Sequence, residues 1–369
     1  MKAIQWIISA LVAVVIIAAA VGGGVYFTRL KSIHSIRKLT DYEDYNLYRM
    51  DIDYAYDLDR LIDRGITDNQ SMINAILAEA LPYLPIHMKA PNFGCSAFCT
   101  QGTDGHTLMG RNYDFKNDTS AMLVYCTPKD GYASVAFAAL DNINANTPDA
   151  SMAKKLATLT APFICLDGMN EKGVSIAVLT LDSDPTYQQT GKPMIATTLA
   201  IRLVLDRAAT TAEAVELLSK YDMFASSGRD YHFYITDASG DGRELEYDCN
   251  DPPRPLTVTP SRSVTNFFVM YKDNVLPNQR NGVYGHGRER YDAIEEILDA
   301  NAGSIDREIA WQALQAASQA PNPQDVTSNT QWSILYDNTA LTAEAVIRRD
   351  WNTKTSYDLV SNVAVTDVG

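Results

Sequence analysis

The chain has little cysteine, little histidine and a deficit of positive charge, and each shortage closes off a class of function. Its five cysteines, Cys95, Cys99, Cys126, Cys165 and Cys249, include no CxxC pair. None stands at a metal-ligand spacing from the five histidines, so no zinc site or other metal is expected. The odd count leaves at least one thiol outside any disulfide scheme, and Cys95 is the candidate. With 31 basic against 45 acidic residues the net charge is −14 and the pI about 4.8. Such a field repels phosphate backbones, so nucleic acid is not an expected partner. No fixed-period repeat or low-complexity tract is visible. Gly285-His286-Gly287 lacks the context of a phosphate loop and reads as the start of a helix. Nothing hints at a nucleotide or organic cofactor, and oligomeric state cannot be read.

What is present is a foldable composition, 46% hydrophobic and 21% charged over 369 residues, with one long apolar run. Between Ile4 and Phe27 only Gln5 and Ser9 interrupt it, a length sufficient for a helix to cross a bilayer. Residues 1–28 are therefore expected to be a transmembrane anchor, partnered with the membrane through residues 4–27. A cleaved signal peptide ending near Ala18-Ala19-Ala20 is the alternative. Arg29, Lys31, Arg37 and Lys38 follow the run, a bias that favours a cytoplasmic body. A single leader ahead of an acidic domain is the design of an exported protein, and the catalytic part is placed outside the cytoplasm.

Residues 29–94 read as a helical pre-segment, a propeptide or small subunit, with helices over Tyr45–Arg64 and Asn69–Leu81. From Cys95 to Gly369 strands dominate. They are expected at 96–100, 107–111, 121–126, 133–139, 174–180, 231–236, 243–247, 263–269, 331–336 and 343–349. Helices fall between groups of strands, at 194–208, 212–221 (Thr210 and Glu213 spaced as a capping box), 288–300 and 306–317. That order suits sheets covered by helices better than a doubly wound parallel fold.

A hairpin turning at Asp104-Gly105 brings Arg111 and Asp114 back alongside Cys95. A cation beside the sulfur favours the thiolate, the form that attacks a carbonyl. By pattern alone the same residues suit small strand residues and a surface ion pair. His232 reads as a strand histidine; no papain-like context surrounds it.

Phe93-Gly94-Cys95-Ser96-Ala97-Phe98 followed by Gly110-Arg111-Asn112-Tyr113-Asp114-Phe115 resembles the mature start of the choloylglycine hydrolase family, which includes bile salt hydrolases and penicillin V acylases. It also resembles the acid ceramidase and N-acylethanolamine acid amidase group. Asp167 through Gly173 is similar to the family's turn before a core strand, and His232 through Glu246 to its hairpin of a His, an Asp-x-x-Gly and a Glu. Thr265-Asn266, Glu289-Arg290-Tyr291 and Thr330 through Asp337 resemble three later motifs, in the family's order.

The resemblance implies an α+β fold, a four-layer αββα sandwich of the N-terminal-nucleophile type with mostly antiparallel sheets, over residues 95–369. It implies hydrolysis of a linear non-peptide amide of a small-molecule acyl amide by Cys95, after a cut at Gly94. The free α-amine of Cys95 would serve as proton acceptor, its ordinary pKa of about 7.7–8.0 suiting a base. Asp114 would hold that amine, Arg111 would lie beside the sulfur, Asn266 would donate to the oxyanion, and Arg290 would support the charge network. Thr180 stands where bile salt hydrolases carry an asparagine, and a hydroxyl donates over a shorter reach. The 94 residues ahead of Cys95 are similar to the long leading segment of the acid ceramidase group. Conjugated bile acids, N-acyl amines and penicillin V-like amides are the substrate classes implied. An acyltransferase with the same nucleophile, or a silent envelope-associated binding protein keeping the fold, are the alternatives.

Overall fold

The computed structural model describes residues 23–82, 94–115, 117–280, 282–324 and 328–368. The apolar run 4–27 lies outside them up to residue 22; its last residues belong to a helix, 23–34. Among the described residues no helix is long and apolar enough to cross a membrane.

Two sheets dominate. The larger runs in the spatial order Arg37–Lys38, Leu47–Ile52, Ala121–Cys126, Ser134–Ala139, Cys165–Asn170, Ser175–Leu181, Asp230–Thr236, Arg243–Tyr247, Leu256–Pro260. The second runs Ser263–Val264, Gly94–Gln101, Thr107–Asp114, Thr330–Asp337, Thr342–Ile347, Thr353–Asp358, Val363–Val368. The pairings are antiparallel except between Leu47–Ile52 and Ala121–Cys126, and in a small separate pair, Met194–Ala196 with Asp222–Phe224. The result is a mixed α+β fold with two large, mainly antiparallel sheets.

Period-two alternation explains the layering. In Gly94–Gln101 and Thr107–Asp114, Cys95, Ala97, Cys99, Met109 and Tyr113 enter the main core between the sheets. Phe98 and Leu108 point the other way, onto Ile294, Leu298, Trp311 and Leu314 of helices Arg288–Ala300 and Arg307–Ala317. Phe98 fits there because Gly110, opposite it, lacks a side chain; a Cβ would lie 2.4 Å from the ring. Helix Thr197–Arg207 covers Cys165–Asn170 and Ser175–Leu181 on the far face of the larger sheet.

The expectation of helix over Tyr45–Arg64 is corrected. Leu47–Ile52 is a strand, and only Leu58–Asp63 is helical, capped by the Asp57 side chain. Leu47, Tyr48, Met50 and Ile52 sit in the core, so tertiary pairing with Ala121–Cys126 overrides local preference. The strand foreseen at 263–269 ends at Val264. Of Asp167–Gly173, read as a turn, the first four residues end a strand, Cys165–Asn170, and the turn itself is Glu171–Gly173, with Gly173 at φ +75°. Strands at Thr353–Asp358 and Val363–Val368 were not foreseen from the sequence.

Residues 29–82 are thus built into the larger sheet as two of its strands. Tyr54 donates to the Leu159 carbonyl at 2.5 Å and the Asn46 N–H to Ser120 Oγ at 3.0 Å. Arg29 reaches the carbonyls of Ala80 and Glu79. Met50→Ala is expected to lower the stability of the full chain by about 2–5 kcal/mol, as a cavity in a main core does, measured by urea unfolding followed by tryptophan fluorescence.

Candidate active site

The site lies where the second sheet runs out of strand. Ser263–Val264 pairs with Phe98 and Ala97 only, and past Val264 the chain leaves the ladder. The edge of Gly94–Ser96 is then met by side chains. Asn266 Oδ1 accepts the Cys95 N–H at 3.2 Å, and Arg290 Nη1 donates to the Cys95 carbonyl at 2.9 Å. Arg290 Nη2 donates to Asn266 Oδ1 at 2.7 Å, and Nη1 lies 3.4 Å from Asp114 Oδ2. Asp114 also accepts from Thr330 Oγ1 at 2.6 Å and Gln319 Nε2 at 2.8 Å. Asn266 Nδ2 donates to the Thr180 carbonyl at 2.9 Å.

Arg290 reaches this point because of the turn ahead of its helix. Gly287, the residue before Arg288–Ala300, has φ +88°, and a Cβ there would stand 2.3 Å from Arg290 Nη2. Gly285, at φ +101°, backs onto the Asn266 carbonyl, where a Cβ would come within 2.1 Å. Only glycine accepts both the left-handed backbone and the missing space. The turn is tied to the Asn266 segment by His286 N–H donating to the Asn266 carbonyl at 2.8 Å and Thr265 Oγ1 to the Gly287 carbonyl at 2.9 Å. The reading of Gly285-His286-Gly287 as a helix start holds.

Arg111 approaches from the other side. It lies between the sheets, fully buried, with Nε 2.7 Å from Asp167 Oδ2 of the larger sheet and Nη2 donating to the Val178 carbonyl at 3.3 Å. Asp167 is held in turn by Tyr336 OH at 2.6 Å and Trp332 Nε1 at 3.1 Å. This is a buried pair joining two sheets, and not the surface ion pair that pattern alone allowed.

The structure therefore brings Cys95, Arg111, Asp114, Asn266 and Arg290 together, with Thr180 at the margin. Two expectations change. Burial pushes the Cys95 thiol up to about 11, outweighing the Arg111 guanidinium, which acts in the opposite direction. The Cys95 nitrogen is received by Asn266, while the Asp114 carboxylate is engaged by Arg290, Thr330 and Gln319. The Thr180 hydroxyl is buried with no hydrogen-bond partner among the described residues. Sequence reasoning missed Asp167, Gln319 and Thr330 as supports; Asp167 was quoted only as part of a turn, and its partners come from strands far along the chain.

Residues 95–251 match the family model for linear amide C–N hydrolases, choloylglycine hydrolase family. Over that stretch, which begins at Cys95 and spans less than half of the chain, the sequence is similar to choloylglycine-family amide hydrolases. Solved structures agree on fold. A variant of conjugated bile acid hydrolase from Clostridium perfringens superposes with a TM-score of 0.53 at 16% identity, covering 74% of this chain and 97% of that one. Penicillin V acylase from Agrobacterium tumefaciens gives 0.52 at 18% identity, over 72% and 86%. No curated protein sequence matches the chain.

The buried Arg111–Asp167 pair has no solvent to fall back on. Asp167→Asn is expected to lower unfolding free energy by about 3–5 kcal/mol, the usual cost of leaving a buried charge unpaired. Gly287→Ala, by contrast, is expected to leave the fold largely intact and displace Arg290, read as a crystallographic shift of the guanidinium off the Cys95 carbonyl.

Proposed function

We propose that this protein hydrolyses linear non-peptide amides with Cys95 as an N-terminal nucleophile, released by a cut between Gly94 and Cys95. The observation that carries the reading is that the backbone at the start of the strand Gly94–Gln101 is met by side chains on its open edge: Asn266 and Arg290 grip the N–H and carbonyl of Cys95. The helix–sheet–sheet–helix layering supports the αββα, N-terminal-nucleophile form of the fold. For the cut, the Cys95 sulfur attacks the Gly94 carbonyl, the carbon–nitrogen bond breaks as the thiol proton passes to the departing nitrogen, and water hydrolyses the thioester. That leaves Gly94 as a carboxylate and Cys95 with a free amine.

In the mature site the amine takes the thiol proton as the sulfur attacks the substrate carbonyl, then returns it to the leaving amine; water hydrolyses the acyl thioester. Arg111 stabilises the thiolate. The second N–H of Asn266 Nδ2 and the unpartnered Thr180 hydroxyl are the donors for the oxyanion, each contributing up to about 10²–10³ in rate. Asp114 holds Arg290, and Arg290 holds the Cys95 carbonyl, so the nucleophile is fixed through its own backbone. Because the pre-segment supplies strands to the larger sheet, the cut yields a small subunit, residues up to 94, that stays bound to the 95–369 domain. Conjugated bile acids, N-acyl amines and penicillin V-like amides are the substrate classes. The leader at 4–27 places the enzyme at a membrane with its catalytic part outside the cytoplasm, where lipid-like amides concentrate.

Intact mass and N-terminal sequencing of purified protein, alongside a panel of acyl amides, test this directly. Wild type is expected to show a terminus at Cys95 with both fragments co-eluting until denatured. Cys95→Ser is expected to lose both the cut and the hydrolysis; unchanged hydrolysis in that variant would overturn the assignment.

A further inference from the structure

One ionisable cluster plays no part in the chemistry above. His232 sits on Asp230–Thr236, directly across the hairpin from the Glu246 position, and Glu244 and Glu246 alternate onto the same face of the neighbouring strand. The three side chains are wholly buried, and one ligand atom from each lies within 4.8 Å of the others. His232 Nδ1 contacts Glu244 Oε1. Glu246 accepts from the Val269 N–H at 2.7 Å and the Met270 N–H at 3.1 Å. Glu244 Oε2 and His232 Nε2 have no hydrogen-bond partner among the described residues.

The donors on hand do not cover this group. Burial raises both carboxyl groups, Glu246 to about 9 and Glu244 in the same direction, so without a cation they keep their protons; as carboxylates they would carry −2 in a place closed to water, where unpaired charge is costly. One imidazole N–H serves one carboxylate. Arg254, on the loop after Glu246, is already matched by Asp230. Of the three residues, His232 and Glu246 belong to the hairpin pattern read from the sequence. Glu244 is the addition that turns a pair into three converging donors.

We propose that His232, Glu244 and Glu246 form a closed structural site for one first-row divalent cation. A dication balances the two carboxylates as their protons leave, and takes up the oxygen left without a donor. One imidazole nitrogen with two carboxylates is a donor set that zinc or manganese accepts. Through the Glu246 bonds to Val269 and Met270, the ion would pin the segment that follows Asn266 to the larger sheet. The spacing rules applied to the cysteines could not show it, because the signal is two glutamates two residues apart facing a histidine across a hairpin.

The test uses the full chain purified without chelator, offered zinc sulfate, dialysed, and measured for zinc by elemental analysis and for melting temperature. About one zinc per chain and a rise in melting temperature on zinc addition are expected for wild type, with both lost in Glu244→Leu. That variant replaces a buried carboxylate with an apolar side chain, so it is expected to fold in the absence of metal. Zinc content near zero with unchanged melting in wild type would overturn the site. So would equal zinc in the Glu244→Leu protein.

Discussion

The buried contact between Arg111 and Asp167 is the constraint on which the site depends. It joins the two sheets across their shared core, and it fixes the guanidinium on the inner side of the Cys95 strand. A guanidinium in that position would be prohibitive without a carboxylate at the same depth, and the carboxylate is itself saturated by Tyr336 and Trp332. From the opposite side a second guanidinium, Arg290, takes the backbone of the same residue. Cys95 is thus held between two arginines with separate duties, one toward its sulfur and one toward its main chain. Each is neutralised by its own aspartate.

The arrangement also sets the state of the thiol. Burial raises the Cys95 thiol to about 11, so proximity of a cation does not suffice to make a thiolate; desolvation is the larger effect. The comparison with hydrolases of the same fold concerns architecture, at 16–18% identity, and the chemistry has to be argued from the residues around Cys95.

Much of this was legible in the sequence. Alternation and turn residues placed the hairpin of Cys95 and Arg111, the strand Arg243–Tyr247 and the helix bearing Arg290, because those elements are specified locally. The ordered motifs brought the five site residues to one place. What local pattern could not carry was anything decided by partners far along the chain. Leu47–Ile52 became a strand because an open sheet edge at Ala121–Cys126 awaited it, against its helical surroundings. The partner of the Cys95 nitrogen turned on where the strand after Ser263 gives out, a matter of one or two residues. The support of Asp114 by Gln319 and Thr330 joins positions about two hundred apart in the chain.

The parallel pairing of Leu47–Ile52 bears on how the domain can be produced. A polypeptide translated from Cys95 onward would emerge with Ala121–Cys126 as a bare, apolar border, an invitation to self-association. The missing neighbour could be supplied as a separate peptide, and the two halves would then be expected to find one another as the halves of a split protein do.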